Sequence, residues 1–597
     1  MDLLKRLGRW STSTPDAVAV VSATGRRHTY RELETRTAHL ARYLRSLGVG
    51  PEVVVGVRMA RRFEAVVVLL AIVRVGGVYL PLDPAHPPTR LAGMVAAAGA
   101  RLVVADPGSV ADLAAEGTEV LDADLALAAR PEAGDPAGDP VHGAGDDNLM
   151  CVLFTSGSTG TPKGIGMCPP AVRNVVNWAD RSGRPWRCAQ FSSPGFDMSL
   201  QEIFGTLAAG GTLVQVGEEH RADPTLLLRL LAAESVDRIY LSPTLLHQLA
   251  EAWQAGGELP ARLRHIVVAG EPLRLTASVR KLVAALPDAV LENQYGPTET
   301  HQATAYPMTG PPDAWPDRPA LGRPLAAVTV HLLDEHGSPV APGTPGEVFL
   351  GGPVVARGYV GRPALTAAYF LPDPFSGRPG ARMYRTGDLA EWTADGTLVF
   401  LGRIDDQVKI RGFRVEPAEV EAALTEDPRI RAVAVRADRR TDGTSQLVAY
   451  VVPRTPDLDE RAVRAAARTR LPGYMVPRSV VLLPALPVNR NGKVDRTALC
   501  LPATGVTDVT APETAEDLMC RLWQEVLERT AVGPDDNFMD LGGDSLAAMQ
   551  LATRIGRAFG STITVRAVLD HPTPRELTSA LERLVLAELD TTGCGRP

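Results

Sequence analysis

TSGSTGTPKG, residues Thr155 to Gly164, follows an apolar run, Leu149 to Phe154, that predicts a β-strand. The stretch combines hydroxyls, three glycines and a lysine. Those are the parts needed to wrap triphosphate oxygens: backbone N–H groups, side-chain hydroxyls and one cation. A G-x-x-x-x-G-K-[ST] frame does not fit around Gly157 and Lys163, which disfavours ordinary phosphorylating NTPases. By composition alone, the same ten residues also fit a plain surface turn.

Upstream, Pro131 to Asp147 is rich in Gly, Pro and Asp without apolar periodicity, and reads as a loop. Earlier still, helical patterns such as Tyr30 to Leu47 alternate with strand-like runs such as Val53 to Val57, the signature of α/β layers. Downstream, Arg264 to Val268 and Glu347 to Leu350 continue the strand pattern, and a boundary is expected just after Gly402-Arg403. A smaller α+β unit then reaches about residue 500, and Pro502 to Pro512 reads as a linker. Amphipathic helices over Glu513 to Glu528, Leu546 to Phe559 and Arg575 to Leu589 predict a helical bundle, and TTGCGRP a loose tail.

The bulk numbers agree with this division. A chain of 597 residues exceeds a single domain, and 45% apolar with 22% charged residues is ordinary globular composition. The net charge of −7 argues against a nucleic-acid partner, since phosphate backbones need clustered Lys and Arg. Between Glu513 and Glu588 there are 13 acidic residues, 7 Arg and no Lys, so the acidity concentrates in the helical module. The longest apolar run, Ala65 to Val73, stops at Arg74, so no membrane partner and a cytoplasmic location are expected. The six cysteines form no C-x-x-C pair, which suggests reduced thiols rather than disulfides or a zinc site.

Seven further motifs follow the loop in a fixed order: FDMS (Phe196 to Ser199), NQYGPTE (Asn293 to Glu299), GEVFLGGPVVARGYV (Gly346 to Val360), YRTGDL (Tyr384 to Leu389), GRIDDQVKIRGFRVEPAEVE (Gly402 to Glu421), LPGYMVP (Leu471 to Pro477) and NRNGKVDR (Asn489 to Arg496). With TSGSTGTPKG, this series resembles the adenylate-forming superfamily of acyl-CoA synthetases, luciferases and nonribosomal peptide synthetase adenylation domains. Near the C-terminus, Leu541-Gly-Gly-Asp-Ser-Leu546 meets a helix, where Ser545 would lie near a positive helix end that suits a phosphate ester. Alone, this sequence favours helix capping over a modification site. Inside an acidic helical module, it resembles a peptidyl carrier domain.

The resemblance implies an α/β fold: a large multi-layer adenylate-forming core over 1–403 and a small α+β subdomain over 404–500. A linker over 501–512, a four-helix-bundle carrier over 513–590 and a tail over 591–597 follow. It also implies an enzyme that activates an amino acid with ATP and loads it on its own carrier. Thr155, Ser156, Gly157, Ser158, Thr159 and Gly160, with Lys163, would hold the triphosphate. Gly270, Glu271, Asn293, Gly296 and Thr298 would line the nucleotide, and Tyr295 would stack on adenine. Glu299 would hold Mg²⁺, Asp388 both ribose hydroxyls with Arg403 beside it, and Asp405 the hinge. Lys493 would bridge the substrate carboxylate and the α-phosphate. Ser545 would carry 4'-phosphopantetheine, whose thiol makes a cysteine nucleophile unnecessary.

Asp197 occupies the family position that pairs with a substrate α-ammonium, which favours an amino acid over the acyl or aryl acids of sister ligases. Phe196, Met198, Gln201, Tyr240, Val267, Ala269, Gln294, Gln302 and Ala303 would complete the pocket. The pattern of Asp197, Gln201, Tyr240 and Ala269 resembles proline-activating members, so L-proline or a related cyclic imino acid is expected. Gln294 and Gln302 add amides that a polar or hydroxylated side chain would satisfy, the runner-up. Partners implied are a phosphopantetheinyl transferase and downstream tailoring or condensation enzymes, and family members often need a small MbtH-like activator. A non-catalytic nucleotide-binding scaffold would have lost Lys163, Asp388 or Lys493, and all three are present.

Overall fold

Tyr30, Leu33, Thr37, Leu40, Ala41 and Leu44 recur at helical spacing and form the buried stripe of helix Tyr30–Ser46. Thr29 caps it, its hydroxyl oxygen accepting the Glu32 N–H at 3.2 Å. Helix Phe63–Arg74 is apolar nearly all round and buried at Phe63 and at every position from Val66 to Ile72, as an element enclosed between layers must be. In this computed structural model the described residues are 2–109, 118–128, 145–157, 160–181, 183–405, 407–410, 412–439, 445–455, 458–487, 494–499, 514–527, 529, 531–543, 545–559 and 563–592. The expected linker over 501–512 and most of the loop from Pro131 lie outside them, as do residues 593–597 of the tail expected over 591–597, whose first two residues instead end helix Pro574–Thr592.

The first compact unit comprises Met1–Gly217, Pro224–Glu419 and Arg470–Tyr474. Two large sheets form it. In the seven-stranded one, Cys151–Thr155, Val78–Pro81, Val54–Arg58, Leu102–Ala105 and Glu119–Asp122 run parallel. Lys163–Met167 and Gly358–Tyr359 add antiparallel at one edge. All five residues of Val54–Arg58 are buried, as expected of a parallel strand covered on both faces. In the nine-stranded sheet, the parallel centre runs Val290–Tyr295, His265–Val268, Arg238–Leu241, Arg187–Gln190, Thr212–Gln215, Val18–Val21. An antiparallel sheet of five strands includes Gly346–Gly351, Arg382–Trp392 and Leu398–Arg403.

A short hairpin, Val408–Ile410 with Phe413–Val415, belongs to this first unit, which continues to Glu419, beyond the boundary expected after Arg403. Ion pairs hold it there: Arg414 meets Glu299 and Glu419 meets Arg90, with the Arg90 and Glu419 side chains 7% and 3% exposed.

The second unit comprises Glu218–Asp223, Val420–Thr469 and Met475–Pro597. A three-stranded sheet, Ile430–Arg439, Ser445–Pro453 and Ser479–Leu482, packs with helix Glu460–Arg468. Four helices follow: Ala515–Leu527, Ser545–Phe559, Val565–Asp570 and Pro574–Thr592. The third is too short to register as a periodic pattern, and Thr564 announces it by accepting the Ala567 N–H at 3.1 Å. Trp523, fully buried, meets Phe538 edge to face with centroids 5.0 Å apart. Each such buried aromatic contributes about 1.5–3 kcal/mol. The α/β core, the α+β part and the four-helix bundle are thus all present. Among the described residues, no helix is long and apolar enough to cross a membrane.

Candidate functional site

The strands Cys151–Thr155 and Lys163–Met167 place Thr155 directly opposite Lys163. The glycine-rich stretch is therefore a hairpin loop rather than a strand-to-helix turn, and its lysine arrives from a strand. The departure from P-loop spacing follows from that topology. A Cβ on Gly157 would stand 2.0 Å from the Thr161 carbonyl oxygen, so the loop closes only around glycine. The Gly160 N–H donates to the Gly157 carbonyl at 3.0 Å.

Lys163 is buried, its Nζ 3.1 Å from Glu299 Oε1 and 3.3 Å from the Tyr359 hydroxyl. Glu299 comes from the short 3-10 turn Thr298–Thr300 after strand Val290–Tyr295, and it is fully buried. Arg414 Nη1 lies 3.0 Å from both its oxygens, and the Tyr359 hydroxyl donates to Oε1 at 2.8 Å. Burial pushes this carboxyl up, but the charges of Arg414 and Lys163 more than reverse it, so Glu299 is held well below the usual carboxylate range. Burial and the charge of Arg414 bring Lys163 down to about 8 against the pull of Glu299.

Asp388, on strand Arg382–Trp392, sits opposite Arg403 on strand Leu398–Arg403, and the two form a cross-strand ion pair. The other Asp388 oxygen accepts the Tyr295 hydroxyl at 2.6 Å. Arg403 also donates to both oxygens of Asp405, each at 2.7 Å. Thr155, Ser156, Gly270, Tyr295, Thr298 and Asp388 all face one cleft of ≈ 1010 Å³, its open mouth included. Arg403, Gly296, Phe196, Asp197, Met198, Ala269 and Gln302 line it too.

Glu271 accepts hydrogen bonds from Thr244, and from the Gly412 N–H at 2.5 Å, so it tethers the hairpin. Asn293 is buried and donates to the Ala320 carbonyl at 2.8 Å. Lys493, Ser158 and Thr159 lie outside the described residues.

Asp197 opens helix Asp197–Leu207, and burial pushes its carboxyl up. Met198, Tyr240, Val267 and Ala269 form one apolar cluster with Cys188, and Phe196 packs on it. Gln201 lies on the Asp197 helix, 1% exposed, with neither amide atom partnered. Gln294 donates to Glu292 at 2.7 Å, but its Oε1 is unpartnered, as is that of Gln302. Ala303 belongs to a different cluster, with Tyr295.

Tyr359, Arg414 and Glu419 sit inside recognised motifs, as does Tyr384, whose hydroxyl lies 3.3 Å from that of Tyr359, yet nothing in their type announced these contacts. Lys409 lines the cleft, and burial lowers its pKa. Arg90 stands in no motif, and only the fold brings it to the hairpin. The described cysteines, Cys151, Cys168, Cys188 and Cys520, are unbridged, and burial raises all four thiols, that of Cys520 to about 11.

The residues present fit the groups that the motifs imply. Thr155 Oγ1 is a buried hydroxyl without a partner, which a phosphate oxygen would satisfy. Glu299 is ionised and oxygen-bearing, the ligand type a hard divalent cation takes. Among the described residues no three His, Cys, Asp or Glu side chains cluster, so such a cation would complete its shell with phosphate oxygens and water. Helix Ser545–Phe559 starts at Ser545, and a helix N-terminus favours a phosphate ester.

The comparisons with known proteins agree. A family described as AMP-binding enzyme matches residues 7–360, AMP-binding enzyme C-terminal domain 419–493, and phosphopantetheine attachment site 517–581. Phosphinothricin tripeptide synthetase PhsB of Streptomyces viridochromogenes is 40% identical over 594 residues, 95% of this chain and 48% of that protein. Chondramide synthase cmdD of Chondromyces crocatus is 39% identical, covering 98% of this chain and 15% of the synthase. The chain thus spans about half or less of the length of these curated relatives. The solved structure of holo-PA1221, described as an NRPS protein containing adenylation and PCP domains bound to a vinylsulfonamide inhibitor, has a TM-score of 0.80 at 27% identity. The match covers 97% of this chain and 96% of that one. With its loop, carboxylates and helical module ordered in this way, the chain belongs to the AMP-binding enzyme family, in the arrangement of a nonribosomal peptide synthetase adenylation domain followed by a peptidyl carrier domain.

Proposed function

We propose that this chain activates an amino acid with ATP as the aminoacyl-AMP and passes the aminoacyl group to a thiol borne on its carrier domain, for nonribosomal peptide biosynthesis. The observation that carries the reading is one cleft lined both by Asp388, Thr155 and Ser156 and by Asp197. A nucleotide end and an ammonium-pairing end thus share one space.

Carboxylate attack on the α-phosphorus forms one P–O bond and breaks the bond to the departing pyrophosphate, so catalysis rests on positioning and electrostatics. Asp388 accepts from the ribose hydroxyls with Arg403 beside it. The loop from Thr155, with Lys163, holds phosphate oxygens. Mg²⁺ held by Glu299 would neutralise charge on those oxygens when bound. Lys493 is our choice for the cation bridging substrate carboxylate and α-phosphate. Asp405 is our choice for the hinge, and Ser545 for phosphopantetheine attachment by a phosphopantetheinyl transferase, the arm supplying the thiol. Asp197 pairs with the α-ammonium, and that disfavours acyl or aryl acids.

The motif pattern Asp197, Gln201, Tyr240 and Ala269 supports L-proline or a related cyclic imino acid. The unpartnered buried amide of Gln201 favours a second reading, a polar or hydroxylated side chain. Downstream tailoring or condensation enzymes would take the product, and an MbtH-like helper would be supplied in assays.

Pyrophosphate exchange across the proteinogenic and cyclic amino acids tests the reading. Exchange greatest with proline or its cyclic relatives supports it, a polar amino acid in that place selects the second reading, and no exchange with any amino acid removes both. Intact mass checks Ser545, since Ser545→Ala must lose the mass gained on transferase treatment.

A further inference from the structure

Glu292 is fully buried and stands just outside the motif that begins at Asn293. Its Oε1 accepts the Trp178 indole N–H at 2.9 Å and the Gln294 amide N–H at 2.7 Å. Its Oε2 pairs with Arg181 and lies 3.4 Å from His265 Nε2. Arg238 Nε donates to His265 Nδ1 at 3.1 Å, which leaves the imidazole proton on Nε2, facing the carboxylate. Burial pushes the Glu292 carboxyl up, but its contacts with His265 and the charge of Arg181 more than reverse this, so it stays ionised. Both oxygens therefore only accept, and each of these four neighbours donates.

So one-sided a setting fixes an amide. Were the Gln294 amide turned over, its Oε1 would face Glu292 Oε1, acceptor against acceptor. Nε2 must therefore point to Glu292, and Oε1 is left without a partner. In the parallel pairing, Val267 stands opposite Glu292 and Val268 opposite Asn293, so the register carries Ala269 to Gln294. Ala269 lines the cleft and belongs to the apolar cluster of Met198, Tyr240 and Val267, which puts Gln294 at the amino-acid end. Gln302 lines the same cleft, and its Oε1 is also unpartnered. Both glutamines are buried, at 3% and 2% exposed.

We propose that Glu292 is a positioning residue for substrate selection: by fixing the Gln294 amide it presents an acceptor to the amino acid, so the pocket takes a side chain that carries a hydroxyl donor on an apolar body. The inference rests on the amino-acid reading of the cleft and selects within it. A substrate hydroxyl donates to an oxygen otherwise buried and unpaired, whereas an unsubstituted ring or a ketone leaves that oxygen as it was. Arg181 supplies the counter-charge and also packs over the Trp178 ring at 4.0 Å, so the carboxylate, its cation and its indole donor hold one another in place.

Pyrophosphate exchange on the full-length chain tests this, with trans-4-hydroxy-L-proline, L-proline and 4-oxo-L-proline as one set and L-threonine with L-valine as another. In the wild type, kcat/KM should be about 10-fold higher for the hydroxylated member of each set that is accepted, the effect of one hydrogen bond. In Glu292→Gln, the group facing Gln294 is no longer confined to accepting, so the amide can take either orientation. The preference should fall toward parity while the KM for ATP stays as in the wild type. The double variant Arg181→Met with Glu292→Gln removes the cation along with its partner, and the same loss of preference is expected there without an unpaired guanidinium.

Melting curves report the folding of each variant. An equal fall in exchange for every substrate, with the wild-type preference kept, gives Glu292 a structural role only and overturns the proposal. Exchange confined to amino acids without a side-chain donor also overturns it, and leaves amino-acid activation standing. Exchange with no amino acid removes both.

Discussion

The Tyr295 hydroxyl donates to Oδ2 of Asp388 at 2.6 Å, while Arg403 pairs with Oδ1 of the same carboxylate. Tyr295 was expected to stack on a base, and its hydroxyl also orients the carboxylate proposed for the ribose. Removing that donor leaves a buried carboxylate one partner short, at about 1–3 kcal/mol. Tyr295→Phe should therefore raise the KM for ATP about 10-fold, and Asp388→Asn should lower kcat/KM for ATP about 100-fold. ATP titration of pyrophosphate exchange reads both.

Gly157→Ala forces a Cβ to within 2.0 Å of the Thr161 carbonyl oxygen. The loop must open, at a stability cost of about 1–3 kcal/mol. Nucleotide affinity should fall far more than thermal stability, and calorimetry beside a melting curve separates the two. An equal, small loss in both would count against a phosphate role for this loop.

Lys163 carries a pH signature. Its folded value of about 8 lies below the 10.5 of a lysine in water, so between those limits the unfolded chain binds more protons than the folded one. The Lys163 contribution to stability therefore rises with pH across that window, at up to about 1.4 kcal/mol per pH unit. Below pH 8 both states are protonated and the contribution is flat. Subtracting the unfolding profile of Lys163→Met from that of the wild type isolates the effect, and a difference that shrinks with rising pH would falsify the assignment.

Arg464 is buried within the second unit, donates to the Arg478 carbonyl at 2.8 Å and to the Asp540 carbonyl, and pairs with Glu460 at 3.1 Å. Arg464→Ala takes their donor from the partly buried Arg478 and Asp540 carbonyls, while Glu460 keeps Arg529, so it should destabilise the unit by about 1–3 kcal/mol. Limited proteolysis should then cut between residues 529 and 543, next to the helix that starts at Ser545. Resistance equal to wild type would show that these contacts do not hold the loop.

Gln201→Leu removes two unpartnered amide atoms from a buried position. Stability should rise by about 1 kcal/mol. Amino-acid-dependent exchange should lose polar substrates and keep cyclic imino acids. A stability loss would mean that the amide has partners in solution.

Much of the fold was legible because it is local. Helix Tyr30–Ser46, strand His265–Val268 and helix Ser545–Phe559 follow from apolar spacing within a few residues of the expected limits. Helix Val565–Asp570 escaped because six residues span under two turns. Cleft residues within motifs, such as Asp388 and Asp197, were legible by resemblance. Tyr359 and Arg414 lay in the same motifs, but residue type does not say which carboxylate a side chain will meet.

By itself, the sequence determined the α/β layering and the order of the parts, because periodicity and motif order are properties of neighbouring residues, while its resemblance to a family named the groups expected at the cleft. Only the tertiary structure decided that Lys163 reaches Glu299 from across a hairpin and that Arg90 neutralises Glu419, 329 residues away along the chain. Burial decided which of these charges are forced to pair, since a charge removed from water must find its counter-charge wherever the fold brings one.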